Sequence, residues 1–419
     1  MYNGLETCFA QVEPFEGHAL LSPSGAHRWL NCPGCIHFIQ EVEKKDPSIK
    51  DSSSKASDEG TRAHAVAEVK LIKNFNAGNQ TKYPYDTTVV PDDEYMDQVT
   101  DGYATYVFEE ITKIQNMHKD KSTSEFVKDH EWYSDEYFGT EVPIRMDWIP
   151  TYGRTDAVYI LLTTKTVHVA VFDFKYGYSR VEVRDNPQLK LYALGAIATI
   201  EKFIGSKDVY IDTYIYQPRV DNVGKASYTY EELVKWNDKV KVMAVSALNG
   251  TGKIKPGSHC VYCPASKYCK ERLSYDFKCI ADKLKEASEL VKKEETGETL
   301  ASMLTTLDGL KATAEKLEST IKEKALDYYD DKGDVPGYVV KTKKGREMYD
   351  NKAQIVTNLV EGGYTSDISI LEPVSPGKLK KAIGVEAYDQ VTYGCLKQAK
   401  PSRIIEKDKT ILENADLFD

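Results

Sequence analysis

Residues 169–196 read VAVFDFKYGYSRVEVRDNPQLKLYALGA, and the reading of the whole fold turns on them. The stretch begins as an apolar strand and ends as a helix that opens at Asn186-Pro187. Side chains two apart on a strand share a face, so Val171, Asp173 and Lys175 project together while Phe172 and Phe174 enter the opposite layer. A buried strand favours neither charge. Asp173-Phe174-Lys175 therefore needs a reason from elsewhere in the chain.

Working outward, the apolar period changes from helical to alternating at about Phe126. FVKDHEWYS (126–134), IRMDWIPTYGRTDAVYILLTT (144–164) and TVHVAVFDFKYGY (166–178) read as successive antiparallel strands. A hairpin of the last two sets Asp156 beside Asp173, with Gly153 at a bend. Two carboxylates with an ammonium beside them hold Mg²⁺ or Mn²⁺ through hard oxygen ligands, and the lysine steadies charge that develops on phosphorus. An isolated Asp-x-Lys is better read as an ion pair on a wet sheet face, so its company matters.

Upstream, Thr61 is expected to cap a helix, TRAHAVAEVKLIKNF, that carries His64 four residues after Gly60 and Glu68 one turn later. A second helix is expected from about Asp92 to Asn116, after a polar exposed loop over 43–60. Downstream, Gln188 and Tyr192 share a face of the helix that starts at Pro187, and VYIDTYIYQPRV (209–220) reads as a strand.

The order Gly60-x-x-x-His64, Gly153-x-x-Asp156, Asp173-x-Lys175, Gln188-x-x-x-Tyr192 resembles the RecB-like branch of the PD-(D/E)XK nucleases, with a phage-associated group nearest. The likeness covers about residues 20–275, including SPSGAHRWLNCPGC (22–35), where Ser22-Pro23-Ser24 reads as a helix start. It implies an α/β (α+β) restriction-endonuclease-like core, a mixed sheet flanked by helices. It implies metal ligation by His64, Asp156, Asp173 and the backbone carbonyl of Phe174, a catalytic Lys175, and support and DNA contact from Gln188 and Tyr192. Glu68 reads either as a positioning carboxylate beside the metal or as a surface acid.

Eight cysteines sit in a chain without an apparent secretory leader or apolar membrane span, which points to a cytoplasmic protein with free thiols or metal ligands. Cys260-x-x-Cys263-x5-Cys269 supplies three thiolates and needs a fourth. Cys32, Cys35 and Cys279 are available, and a Cys₄ zinc staple is one solution. The family resemblance implies another, a 4Fe–4S cluster on Cys32, Cys260, Cys263 and Cys269 that clasps the two ends of the core.

The net charge of −10 provides no global basic field for nucleic acid, although local charge can be segregated. Lys343, Lys344, Arg346, Lys378, Lys380 and Lys381 are the tail's candidate phosphate contacts, with a solvated surface as the plainer reading. The expected organisation is a nuclease core with its strap (1–279), a helical hairpin (280–335) and a small α+β domain (336–419). In the hairpin, Leu307, Leu310, Ala314, Leu317 and Ile321 form a heptad-like stripe. In the small domain, GYVVKTKKGREMYD reads as a hairpin and SPGKLKKAIG as a capped basic helix.

The expected activity is a Mg²⁺- or Mn²⁺-dependent deoxyribonuclease, an exonuclease that processes DNA ends for recombination or repair. The alternative keeps the fold as a non-catalytic DNA-binding or scaffold subunit. The Lys/Glu-rich helices are a possible dock for a single-strand annealing or single-strand-binding protein. No phosphate loop, serine-hydrolase elbow or zinc-protease motif is present.

Overall fold

The structure, a computed structural model, describes residues 4–12, 15, 19–49, 55–78, 83–118, 135–344, 347–364, 375–398 and 402–407. The chain divides into two compact units, Met1–Tyr275 and Asp276–Asp419.

The first unit is built on a five-stranded mixed sheet in sequence order, β1 (Asp135–Met146), β2 (Thr151–Leu162), β3 (Thr166–Phe174), β4 (Asp208–Gln217) and β5 (Asn222–Thr229). All neighbours are antiparallel except β3 and β4, which run parallel and are joined by a helical crossover. The helices of this unit are α1 (Gly4–Ala10), α2 (Ala26–Asn31), α3 (Cys35–Lys45), α4 (Lys55–Gly78), α5 (Glu94–His118), α6 (Pro187–Thr199), α7 (Glu201–Ile204) and α8 (Tyr230–Leu248).

Strand alternation sorts the core into two layers. Val167, Val169 and Val171 of β3 pack toward α2, α6 and α8, whereas Ala170, Phe172 and Phe174 pack toward α4 and α5. Each fully buried Val, Leu, Ile or Phe contributes about 1.5–3 kcal/mol to holding the layers together. Asn186 caps α6 by accepting from the Gln188 and Leu189 N–H groups, with Pro187 in the first turn. Thr229 and Glu232 form a reciprocal capping box on α8.

Several sequence expectations need correction. The 144–164 run is not one strand: β1 ends at Met146 and the chain turns through 147–150 before β2 begins. Pro150, which has no N–H to give a ladder, stands in that turn. Gly153 is no bend either, because it pairs with Ile144 inside the β1–β2 ladder. Thr61 caps nothing; α4 already begins at Lys55, and the Thr61 hydroxyl donates to the Ser57 carbonyl one turn back. Residues 55–60 of the expected loop are therefore helical. Ser22 shapes a turn, its Oγ accepting from the Gly25 N–H at 3.2 Å, and α2 starts only at Ala26. The strand expected over 126–134 lies outside the described residues.

The second unit holds most of α9 (Lys270–Val291), then α10 (Gly297–Lys332), α11 (Lys352–Glu361), α12 (Pro376–Ile383) and α13 (Val385–Val391). Of the expected leucine stripe, Leu310 and Leu317 are buried while Leu307 and Ile321 are exposed. The expected hairpin over 337–350 does not form as such. β6 (Tyr338–Lys343) pairs with β9 (Ser402–Lys407), and β7 (Glu347–Tyr349) pairs with β8 (Leu396–Gln398). α12 is present, but Ser375 makes no side-chain cap. Among the described residues no helix is long and apolar enough to cross a membrane.

Candidate active site

The β1–β2 and β2–β3 registers continue to one row of facing positions, Glu141, Asp156 and Asp173. Thr140 and Val142 face Ala157 and Thr155, and Ala157 in turn faces Phe172. α4 brings in His64, whose Nδ1 lies 3.4 Å from Asp156 Oδ2. The same oxygen accepts from the Phe174 N–H at 2.7 Å. Ligand atoms of His64, Glu141 and Asp156 lie within 4.8 Å of one another, the one such trio found among the described residues.

Asp173 stands beside this trio, tied to the other half of the motif. Lys175 Nζ is 3.1 Å from Asp173 Oδ2, and Gln188 Nε2 donates to Asp173 Oδ1 at 3.1 Å. Lys175 also reaches Gln188 Oε1 at 3.4 Å, which closes a triangle. Asp173 Oδ2 is buried, and the ammonium 3.1 Å away is its neighbour in the site. Tyr192, one turn after Gln188, packs under β2. A Cβ on Gly153 would lie 3.1 Å from the Tyr192 hydroxyl, so a glycine here lets the ring approach the strand.

Burial, reinforced by the Asp156 and Glu68 charges, raises the Glu141 carboxyl to about 7. Burial also raises Asp173 to about 6, against the opposing pull of Lys175. For Asp156, burial is outweighed by His64 and Lys175, and the carboxyl is held below its usual range. Burial likewise disfavours charged His64 and Lys175, but the facing aspartates prevail and raise both. Two carboxylates and an imidazole line a partly buried cleft, with the buried Asp173 on the adjacent strand, and form a donor set that suits a hard divalent cation.

The cleft, about 660 Å³, is also lined by Ser22, Pro23, Gly60 and Arg154. Glu68 accepts from the Thr140 hydroxyl at 3.4 Å, and burial raises its pKa. Glu141 and Arg154 escaped the sequence reading. Glu141 has φ +47°, a left-handed conformation uncommon for a side chain of this kind. The strand changes layers there: Phe138 packs with the α4–α5 layer, yet Val142, four residues on, packs with the opposite one. No local motif marks such a residue. Arg154, two positions before Asp156, was visible but unassigned.

The cysteines come together at a second place in the same unit. Cys32 follows α2 and Cys35 opens α3, and their turn packs against the strap of residues 252–269. The Gly34 N–H donates to the Lys253 carbonyl at 3.2 Å. A Cβ on Gly34 would lie 2.6 Å from the Gly252 carbonyl oxygen, and one on Gly252 would lie 2.7 Å from the Pro33 carbonyl carbon. Two glycine backbones thus touch where any side chain would separate them.

Backbone N–H groups point at three of the sulfurs: Lys255 at Cys32 (3.2 Å), Gly257 at Cys260 (3.4 Å) and Arg272 at Cys269 (3.4 Å). A hydrogen bond from Cys35, joined by the Lys255 N–H, brings the Cys32 thiol down to about 6 despite its burial. Among the described residues, no three of these sulfurs lie within 4.8 Å of one another. A zinc tetrahedron with 2.3 Å bonds needs sulfurs about 3.8 Å apart. Cys279 lies on α9 in the second unit.

Of the tail lysines, Lys343, Lys344, Lys378 and Lys381 are exposed and Lys380 sits over the Tyr388 ring at 5.1 Å. Arg346 lies outside the described residues.

Among solved structures, one described as "Crystal structure of SSO0001" aligns at 12% identity over 64% of this chain and 95% of that chain, with a TM-score of 0.27. So low a score does not establish a common fold. The family model described as "Protein of unknown function (DUF2800)" matches residues 18–410, which takes in both compact units. The chain belongs to the DUF2800 family.

Proposed function

We propose that the chain is a metal-dependent DNA nuclease of the RecB-like kind, hydrolysing phosphodiester bonds at DNA ends. The observation that carries the reading is the row Glu141, Asp156 and Asp173 on adjacent strands, with Lys175 and Gln188 tied to its last member. The four motif pairs resemble that branch of nucleases, and the geometry gives each a chemical part.

His64, Glu141 and Asp156 are the groups to hold the metal, joined by Asp173 and the Phe174 carbonyl as the resemblance implies; Asp173 Oδ2 is buried with the Lys175 ammonium beside it. A Mg²⁺ or Mn²⁺ ion bound there supplies Lewis acidity that activates water for attack at neutral pH. Lys175, kept charged by its aspartates, offsets negative charge that grows on the non-bridging phosphate oxygens. Gln188 fixes the direction of the lysine by bonding both it and Asp173. Tyr192 supports the floor beneath Gly153, and exposed Arg154 offers a cation to a phosphate in the cleft.

For the cysteines the reading is a structural 4Fe–4S cluster on Cys32, Cys260, Cys263 and Cys269. The amide hydrogen bonds to three of the four sulfurs support it.

The deciding assay offers end-labelled linear duplex, single strand and closed circular DNA to wild type and Lys175→Ala, with Mg²⁺ or Mn²⁺. Loss of linear forms alone, dependent on metal and lysine, is the expected result. Cutting of the circle replaces the exonuclease with an endonuclease. No cutting by folded, iron-loaded protein overturns the enzyme in favour of a DNA-binding subunit.

A further inference from the structure

Just beyond the acidic row, the ends of β3 and β4 carry a stack of rings that the proposed hydrolysis does not use. Arg219 follows β4, and its guanidinium carbon lies 3.8 Å from the centre of the Tyr176 ring, 4.9 Å from Tyr178 and 5.9 Å from Tyr95. Glu59 of α4 grips the guanidinium with two hydrogen bonds, 3.1 and 2.6 Å. An arginine engaged in this way has its charge neutralised, so it is poorly suited to collect phosphates. It is suited to being a fixed flat surface.

Tyr176 is buried, which accounts for the inner side of the stack as packing. Tyr178 is different. Its residue surface is 71% exposed, and an outer ring left in water adds little to the core. Tyr95, at 42% exposure, borders the same guanidinium. Tyr178 follows Lys175 by three residues, a reach of at most about 10 Å, or about three base steps of a stacked strand. Glu59 directly precedes Gly60, which lines the catalytic cleft. The stack therefore borders the site on both its strand side and its α4 side.

We propose that Tyr178, backed by Arg219 and Tyr176, is a stacking platform for an unpaired nucleobase, so that the substrate entering the cleft is single-stranded DNA. This rests on the nuclease reading above and adds the strand class to it. Base-on-aromatic stacking tolerates any sequence because every base offers a flat face, and it requires one ring held rigidly from behind with its other side in water.

The test measures binding of a fluorescent oligothymidine and of an abasic oligonucleotide of equal length and charge, in EDTA so that nothing is cut. Full-length wild type, Tyr178→Ala and Tyr178→Trp are compared, and cleavage in Mg²⁺ and Mn²⁺ is recorded for each. The expected result is about 5- to 100-fold weaker oligothymidine binding by Tyr178→Ala, no change on the abasic strand, and recovery in Tyr178→Trp. Equal loss on both strands, or none on either, overturns the platform. If wild type cleaves DNA while Tyr178→Ala binds oligothymidine normally, the platform alone is wrong. If wild type neither binds nor cuts any DNA, the nuclease reading falls with it.

Discussion

Glu141, Asp156 and Asp173 are brought together by the hydrogen-bond ladders of β1, β2 and β3, whereas Cys32 meets its strap across a contact between two glycine backbones. In the first region the frame exists whether or not the side chains are there, because strand register sets it. In the second the frame is one close backbone approach, with backbone N–H groups aimed at three of the sulfurs around it. The acidic row should therefore lose chemistry without losing structure, and the clasp should do the reverse.

Lys175→Ala gives the largest expected effect, a fall of about 10²–10³ in DNA cleavage. Its iron content and visible absorption should stay at wild-type values; a variant that also bleaches would show the two regions to be coupled. Cys269→Ser is the converse. Iron is lost, and melting falls by about 5–10 °C if the cluster contributes several kcal/mol to a unit of this size. Stoichiometric zinc in anaerobically purified wild type would replace the cluster with a staple.

Gly34→Ala tests the clasp without touching a sulfur. The added carbon would sit 2.6 Å from the Gly252 carbonyl, so a loss of about 1–3 kcal/mol in a denaturant titration is expected. The acidic row has a pH signature. Asp173 is raised from 3.8 to about 6 and Glu141 from 4.5 to about 7, so the folded state holds these protons more tightly than the unfolded chain. Their effect is to lower metal-free stability as pH rises from about 4, with the loss complete above about 7. A divalent ion takes the place of the protons. The Mn²⁺-induced rise in melting temperature should consequently be greater at pH 8 than at pH 5.5, and an equal rise at both would remove these acids as ligands. Gly60→Ala is the smallest change. Its Cβ meets open space within α4, and a gain of up to about 1 kcal/mol is expected from helix propensity.

The parts of the site legible in the sequence are those carried by short-range pattern. Asp173-x-Lys175 and Gln188-x-x-x-Tyr192 are spaced by the period of a strand and a helix, and those elements formed where the apolar pattern put them. Glu141 was illegible because two things that pattern does not encode place it: the partner register of β1 and a left-handed φ that moves the strand from one layer to the other. Thr61 misled because a good capping residue also tolerates a helix interior, where its hydroxyl bonds back to Ser57. β6 and β7 misled because their partners lie about sixty and about fifty residues downstream, beyond the reach of turn chemistry.

The glycine contact also has a consequence for synthesis. Gly34 leaves the ribosome more than two hundred residues before Gly252 and Lys253, its structural partners. At ~5–20 residues per second the N-terminal turn waits roughly 10–40 s for them. During that interval the five-stranded sheet can pair in full while the thiols of Cys32 and Cys35 remain uncovered. A protein built this way pairs its sheet first and closes the glycine contact last, so those two thiols stay open to solvent reagents for longer than any strand of the sheet stays unpaired.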